Sequence, residues 1–175
     1  MNYTIPNIEG WMFKGELEWL YNTALTMKSI VEIGSWKGRS THALLSGCSG
    51  PVIAVDTFKG LEAEPSHITS QQAKQFNIYS ILKQNVGHFP NLMVMKMESK
   101  RAAKFFKPKS VDMIFLDGSH DYWEVRQDII SWLPICKVLL CGHDYDNCLG
   151  VNNALRDLKV GIKKVEFSIW EHRIQ

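Results

Sequence analysis

Several features that settle a protein's class at a glance are scarce in this chain. Cysteine occurs four times in 175 residues, as Cys48, Cys136, Cys141 and Cys148, with neither C-x-x-C spacing nor the density of a secreted scaffold, so all four read as reduced thiols. An excess of one charge is also lacking. Twenty basic against 18 acidic residues give +2, and nothing demands nucleic acid or an anionic membrane as partner. The one basic concentration, Lys96, Lys100, Arg101, Lys104, Lys107 and Lys109, falls at helical spacing and reads as a solvated face. No apolar run reaches membrane length and no signal-peptide pattern is present, which leads to the expectation of a cytoplasmic protein with no membrane partner. Internal repeats and low-complexity tracts are absent too. What remains is 45% hydrophobic residues, enough for a single core. The chain is read as one domain over residues 1–175, with residues 1–28 a leading helical cap and no room for a separate substrate domain.

Short apolar runs and amphipathic stretches alternate along the chain, the pattern of an α/β, doubly wound, mostly parallel sheet with helices on both faces. Leu17, Leu20, Tyr21, Ala24 and Leu25 mark a leading helix. Strands are expected at Ile30–Ile33, Val52–Asp56, 92–97, 111–117 and 136–141, with terminal strand material over 162–174. Phe76, Tyr79, Leu82 and Val86 supply the buried stripe of one helix, and Tyr122, Val125, Ile129 and Trp132 that of another. The polar stretch 57–69, with Gly60, Pro65 and His67, lies where a lid could close.

The most informative stretch is Ser29-Ile-Val-Glu-Ile-Gly-Ser-Trp-Lys-Gly-Arg-Ser-Thr41, followed by Val52-Ile-Ala-Val-Asp56. It reads as a buried strand, a glycine turn at Gly34, a helix start with Ser40 or Thr41 as N-cap, and a second strand ending in a carboxylate. Gly38 lets a ligand or a helix approach closely. Asp56 stands 22 residues after Gly34, near the spacing at which an acidic side chain meets a ribose diol. A dinucleotide fingerprint would need glycine where Trp36 and Arg39 stand, which argues against NAD or FAD. The pattern present is Glu-x-Gly-x-x-x-Gly, beginning at Glu32. It resembles motif I of the class I S-adenosylmethionine-dependent methyltransferases.

In open α/β sheets ligands bind beyond the carboxyl ends of the strands, so Asp117-Gly-Ser-His-Asp-Tyr122 and Gly142-His-Asp-Tyr-Asp146 should meet the glycine turn at one rim. Facing carboxylates there need protonation, hydrogen bonds or a cation. Asp117 and Asp144 would suit Mg²⁺, and His143 as a third ligand would shift the preference toward Mn²⁺.

Taken together, Ile8-Glu-Gly-Trp11, Val31-Glu-Ile-Gly-Ser-Trp-Lys-Gly-Arg-Ser40, Val55-Asp-Thr-Phe-Lys-Gly60, Phe115-Leu-Asp-Gly-Ser-His-Asp-Tyr122 and Cys141-Gly-His-Asp-Tyr145 resemble the small bacterial methyltransferases grouped with macrocin-type sugar O-methyltransferases and cephalosporin-hydroxylase-like proteins. The resemblance spans roughly residues 8–157. It implies the class I methyltransferase fold, S-adenosylmethionine as cofactor and a divalent metal beside it. By position, Asp117 matches the metal aspartate after the fourth strand, and His143-Asp144 falls where relatives carry two acidic or amide ligands, His143 departing from the pattern. Ser99 matches the position that contacts adenine. His120 sits at the offset where catechol O-methyltransferases place a basic lysine. Glu32, Gly34, Ser35, Trp36, Gly38, Ser40, Asp56, Thr57, Phe58, Ser99 and Asp117 are the expected cofactor contacts, with Trp36 and Phe58 equally readable as core or lid residues. Trp11 reads as a possible cap over the pocket.

The function expected is metal-dependent O-methylation of a small hydroxylated acceptor such as a sugar. Asp117 and His120 are the candidate catalytic residues, and His120 is readable as base, metal ligand or structural residue. An NAD-dependent oxidoreductase and a non-catalytic cofactor-binding accessory protein are the alternatives, and pairing with a second copy is a further expectation. His42, His67, His88 and His172 have no convergent partner in the sequence.

Overall fold

The computed structural model describes residues 3–61 and 66–174. The centre of the expected lid, residues 62–65, lies outside the described residues. In chain order the elements are α1 (Lys14–Ala24), β1 (Ile30–Ile33), α2 (Arg39–Gly47), β2 (Val52–Asp56), α3 (Ile68–Gln75), α4 (Ile78–Val86), β3 (Leu92–Lys96), α5 (Ser99–Ala102), a 3₁₀ turn (Ala103–Phe105), β4 (Val111–Leu116), α6 (Tyr122–Trp132), β5 (Cys136–Gly142), α7 (Leu149–Asp157), β6 (Lys163–Glu166) and β7 (Ile169–Arg173).

The strands form a seven-stranded sheet in the order β3-β2-β1-β4-β5-β7-β6. Neighbours from β3 to β5 run parallel, whereas β7 is antiparallel to β5 and closes a hairpin with β6. Every residue of β1 and of β4 is buried, as inner parallel strands covered on both faces must be. Two apolar layers do the covering. One joins α1, α2 and α4 through Leu17, Leu20, Leu44, Leu82 and Phe115. The other joins α5, α6 and α7 through Ile129, Trp132, Leu140, Leu155 and Trp170. Strand order reverses between β1 and β4, so the crevice at their carboxyl ends is the place where such a sheet receives ligands.

Local chemistry corrects three expectations and completes a fourth. The N-cap of α2 is Gly38, with φ 93°, instead of Ser40 or Thr41. Both hydroxyl residues lie one turn further in, buried toward β1. Among the described residues the leading segment is helical only over α1, and Leu25 beyond it is 55% exposed. Phe76 separates α3 from α4 and is 54% exposed, while Ile78 takes its place in the buried stripe. The C-terminal stretch does form two full strands, because Ser168 and the positive-φ Phe167 turn the chain tightly.

Candidate functional site

The turn after β1 is shaped by what glycine permits. Gly34 has φ +88°, and a Cβ there would fall 2.1 Å from the Asp117 carbonyl oxygen, so only glycine lets the ends of β1 and β4 meet. Gly38 also has positive φ, but the space left by its missing side chain is filled by Val86 of α4 at 3.2 Å. Between them, the Trp36 amide donates to Asp56 Oδ2 at 2.8 Å. The Phe58 amide donates to Asp56 Oδ1 at 2.6 Å. Two main-chain donors thus aim the Asp56 carboxylate and tie the β1 and β2 ends together. Burial raises the Asp56 pKa, opposed by those amides.

Glu32 is fully buried under this turn. Burial pushes its carboxyl up to about 7, against the opposing pull of the Ser40, Thr41 and Ser35 hydroxyls around it. Of these, Thr41 Oγ1 makes the hydrogen bond, donating to Glu32 Oε2 at 2.5 Å. Ser35 Oγ and Trp36 Nε1 are buried polar atoms without a hydrogen-bond partner, which is uncommon unless a ligand or water completes them.

The ends of β4 and β5 carry a cluster of charge. His143 is buried, with Nδ1 3.5 Å from Asp117 Oδ1 and 3.2 Å from Asp144 Oδ2. Its Nε2 lies 2.9 Å from Glu16 Oε1 and 3.0 Å from Ser168 Oγ. On the far side of Asp144, His120 Nε2 stands 2.8 Å from Oδ2. Burial would make the His143 imidazole less basic, but hydrogen bonds to Asp117, Asp144 and Glu16 override it and push its pKa up to about 12. Burial likewise acts to raise Asp144, and the hydrogen bonds from His120 and His143 hold it well below the usual carboxylate range. Asp117 is raised, chiefly by burial. The protonated His143 ring is thus held among the carboxyl groups of Asp117, Asp144 and Glu16.

Glu16 was not singled out from sequence. As the third residue of α1 it caps the helix, accepting the Phe13 amide on Oε2 at 2.9 Å. Its Oε1 reaches His143 and also accepts the Ser168 amide at 3.2 Å and hydroxyl at 3.1 Å. Burial would raise its pKa, yet bonds from His143, Phe13 and Ser168 bring it below the ordinary value. The capping position was readable, but the approach of the β6–β7 turn was not. The turn packs closely on Gly15, where a Cβ would lie 2.7 Å from Glu166 Oε1.

The extended residues before α1 are fastened over the Gly34 turn. Arg39 donates to the Ile8 carbonyl at 2.6 Å and to the Met12 carbonyl at 3.2 Å. Lys37, almost fully buried, pairs with Glu9 at 2.7 Å, and Gln72 of α3 donates to the other Glu9 oxygen at 3.0 Å. Lys37 and Glu9 were not singled out from sequence, because a lone pair of opposite charges 28 residues apart carries no local signal.

The family model described as "Methyltransferase domain" matches residues 31–145. The chain belongs to this methyltransferase family. A comparison with the curated proteins finds no significant match. Among solved structures, the O-methyltransferase NovP superposes with a TM-score of 0.68 at 14% identity, covering 91% of this chain and 79% of its own. An O-methyltransferase from Bacillus cereus in complex with SAH gives 0.61 at 15% identity, covering 98% and 84%. The TDP-rhamnose 3′-O-methyltransferase of calicheamicin biosynthesis gives 0.60 at 12% identity, covering 90% and 77%. These likenesses establish the fold, which is that of the class I S-adenosylmethionine-dependent methyltransferases. The family match retires the nicotinamide oxidoreductase alternative.

In the methyltransferase, Gly34, Asp117, His143 and Asp144 are brought together, and His120 joins them through Asp144. Glu32, Ser35, Trp36, Ser40 and Asp56 gather at the β1 and β2 ends. Thr57 follows Asp56, its hydroxyl accepting the Lys59 amide at 3.3 Å. Phe58 is 6% exposed and its ring meets Tyr79 edge-on at 5.4 Å, inside the α4 layer, in keeping with its reading as a core residue. Ser99 Oγ accepts the Trp132 indole N–H at 2.7 Å and lies against Asp128, whose carboxyl burial pushes up to about 6. The Trp11 side chain is 56% exposed. Among the described residues no helix is long and apolar enough to cross a membrane.

Proposed function

We propose that this methyltransferase moves the methyl group of S-adenosylmethionine to a hydroxyl oxygen of a small acceptor such as a sugar, with a divalent ion at Asp117, His143 and Asp144. The observation that carries the reading is the contact at Gly34. There the turn suited to the sulfonium cofactor abuts the carbonyl of Asp117, the first residue of the acid and base cluster. Donor and acceptor halves thus share one rim.

On the donor side, Asp56 would accept the ribose hydroxyls, its carboxylate already aimed by the Trp36 and Phe58 amides. The unpartnered Ser35 Oγ and Trp36 Nε1 offer polar contacts to the rest of the cofactor. On the acceptor side, the donor set fits a divalent ion that displaces the Nδ1 proton of His143. Asp117, His143 and Asp144 each present a ligand atom, all within 4.8 Å of one another. Adjacent ligands of an octahedral ion lie about 3 Å apart, close to the His143 separations above. Two carboxylates and an imidazole favour Mn²⁺ over Mg²⁺. When bound, the ion would polarise the acceptor hydroxyl and lower its pKa.

Pairing Nε2–H of His120 with Asp144 assigns the basic lone pair of that ring to Nδ1. His120 then accepts the hydroxyl proton as the oxygen attacks the methyl in line and the thioether departs. Glu16 and Ser168 hold the His143 ring in place. The sugar acceptor draws support from the TDP-rhamnose methyltransferase among the structural neighbours and from the motif order described above.

Isothermal titration with S-adenosylhomocysteine, with and without Mn²⁺, tests the reading. Binding is expected in both conditions, with Mn²⁺ required for transfer to sugar acceptors. Absence of binding in either condition refutes the assignment of the donor site. Transfer that persists in chelator refutes the ion, and binding without any transfer points to the accessory alternative.

A further inference from the structure

Beside the cluster described above lies a second group of ligand-type side chains. His120, Asp144 and Cys148 each present one ligand atom, and these atoms also lie within 4.8 Å of one another. The backbone explains their approach. A Cβ on Gly150 would fall 2.1 Å from the His120 carbonyl oxygen and 2.9 Å from the Tyr122 nitrogen, so α7 begins pressed against the loop that carries His120. Cys148 is the N-cap residue of α7. Its amide donates to the Asp144 carbonyl at 3.0 Å, folding the chain back over a residue whose own φ is 62°. All three side chains are partly exposed, so an ion reaches them without unfolding.

We propose that His120, Asp144 and Cys148 form a zinc site, and that zinc bound there inhibits methyl transfer. A thiolate with an imidazole and a carboxylate is a set that prefers Zn²⁺ to Mg²⁺ or Mn²⁺. Three protein ligands and one open position make the tetrahedral arrangement that zinc adopts. Zinc–ligand bonds of about 2.0–2.3 Å put neighbouring ligand atoms about 3.3–3.6 Å apart; the atoms here lie within 4.8 Å of one another, so the wider gaps close by up to about 1.5 Å while the 2.8 Å His120–Asp144 pair opens slightly. Binding releases the Cys148 thiol proton to solvent and leaves the thiolate on the ion. The inhibitory part rests on the proposed function: a zinc-held His120 no longer accepts the acceptor's proton, and Asp144 Oδ2 is drawn from the neighbouring cluster. The binding part does not rest on it.

Cobalt serves as the spectroscopic probe. Titration of the full chain with Co²⁺ in excess Mg²⁺ is expected to give a near-ultraviolet thiolate-to-cobalt charge-transfer band that stoichiometric Zn²⁺ removes. Cys148→Ser should abolish the band and weaken Zn²⁺, measured against a chromophoric chelator, by about tenfold or more. Serine is a favoured N-cap, so this variant should keep the parent's thermal midpoint and its Mn²⁺ affinity. No band in the parent, or parental zinc affinity in Cys148→Ser, overturns the site. In turnover assays Zn²⁺ should inhibit the parent at concentrations that leave Cys148→Ser active. Zinc that binds through Cys148 without inhibiting overturns the inhibitory claim and counts against His120 as base, while the site itself stands.

Discussion

The two halves of the candidate site are built from different materials. At the ends of β1 and β2 the main chain does the positioning: the positive-φ Gly34, the absent Cβ against Asp117, and two amides that aim the Asp56 carboxylate. At the ends of β4 and β5 acid and base side chains hold one another: Asp117, His120, His143 and Asp144, with Glu16 and Ser168 behind. A main-chain site is intolerant of any change that alters the backbone. A side-chain cluster is tunable group by group, which suits the half that must select an acceptor.

That contrast can be broken most severely at Gly34. Gly34→Ala places a Cβ 2.1 Å from the Asp117 oxygen at φ +88°, and a loss of more than about 3 kcal/mol is expected in denaturant unfolding. A stable, cofactor-binding variant would show that the halves do not depend on this contact. Next in size is a pair that should separate the halves. Asp144→Asn is expected to reduce metal-stimulated transfer by about 100-fold or more, with S-adenosylhomocysteine affinity preserved. Asp56→Ala should do the reverse, weakening the cofactor about 100-fold while Mn²⁺ affinity holds. Equal losses of both ligands in either variant would merge the two halves into one cooperative unit.

Glu32 sharpens the donor side through pH. Its folded pKa of about 7 exceeds its ordinary 4.5, so the fold favours the protonated form. That contribution is complete below about pH 4.5 and is lost as pH rises through about 7, on the order of 3 kcal/mol in all. Glu32→Gln should flatten stability between pH 5 and pH 8, followed by thermal denaturation across that range; an unchanged slope would mean another group titrates there. The smallest effect expected is at Glu16. Glu16→Gln should weaken Mn²⁺ about tenfold in an electron paramagnetic resonance titration, as loss of the group orienting a ligand histidine does, with cofactor affinity unchanged.

Much of the fold was legible because apolar periodicity and strand composition are local properties. The runs at β1, β2 and β4 have no polar alternation, and that is how a doubly covered parallel strand must read. The corrected and open readings share one cause. Ser40 and Thr41 look like caps by residue type, but the chain bends one turn earlier at Gly38, and their hydroxyls face Glu32 instead. Phe58, two residues after Asp56, is equally readable as a ligand contact or a core residue, and a φ of 60° turns it toward the core beside Tyr79.

The sequence by itself determined the sheet, the glycine turn, the carboxylate at the end of β2 and the acid and base residues at the ends of β4 and β5. Each is encoded by neighbours within a few positions. The tertiary structure alone decided which groups stand around His143. Glu16 and Ser168 are 152 residues apart, and only the antiparallel return of β7 beside β5 brings the hairpin turn onto the start of α1. Contacts across that distance are set by how layers close over a core, which no local pattern specifies.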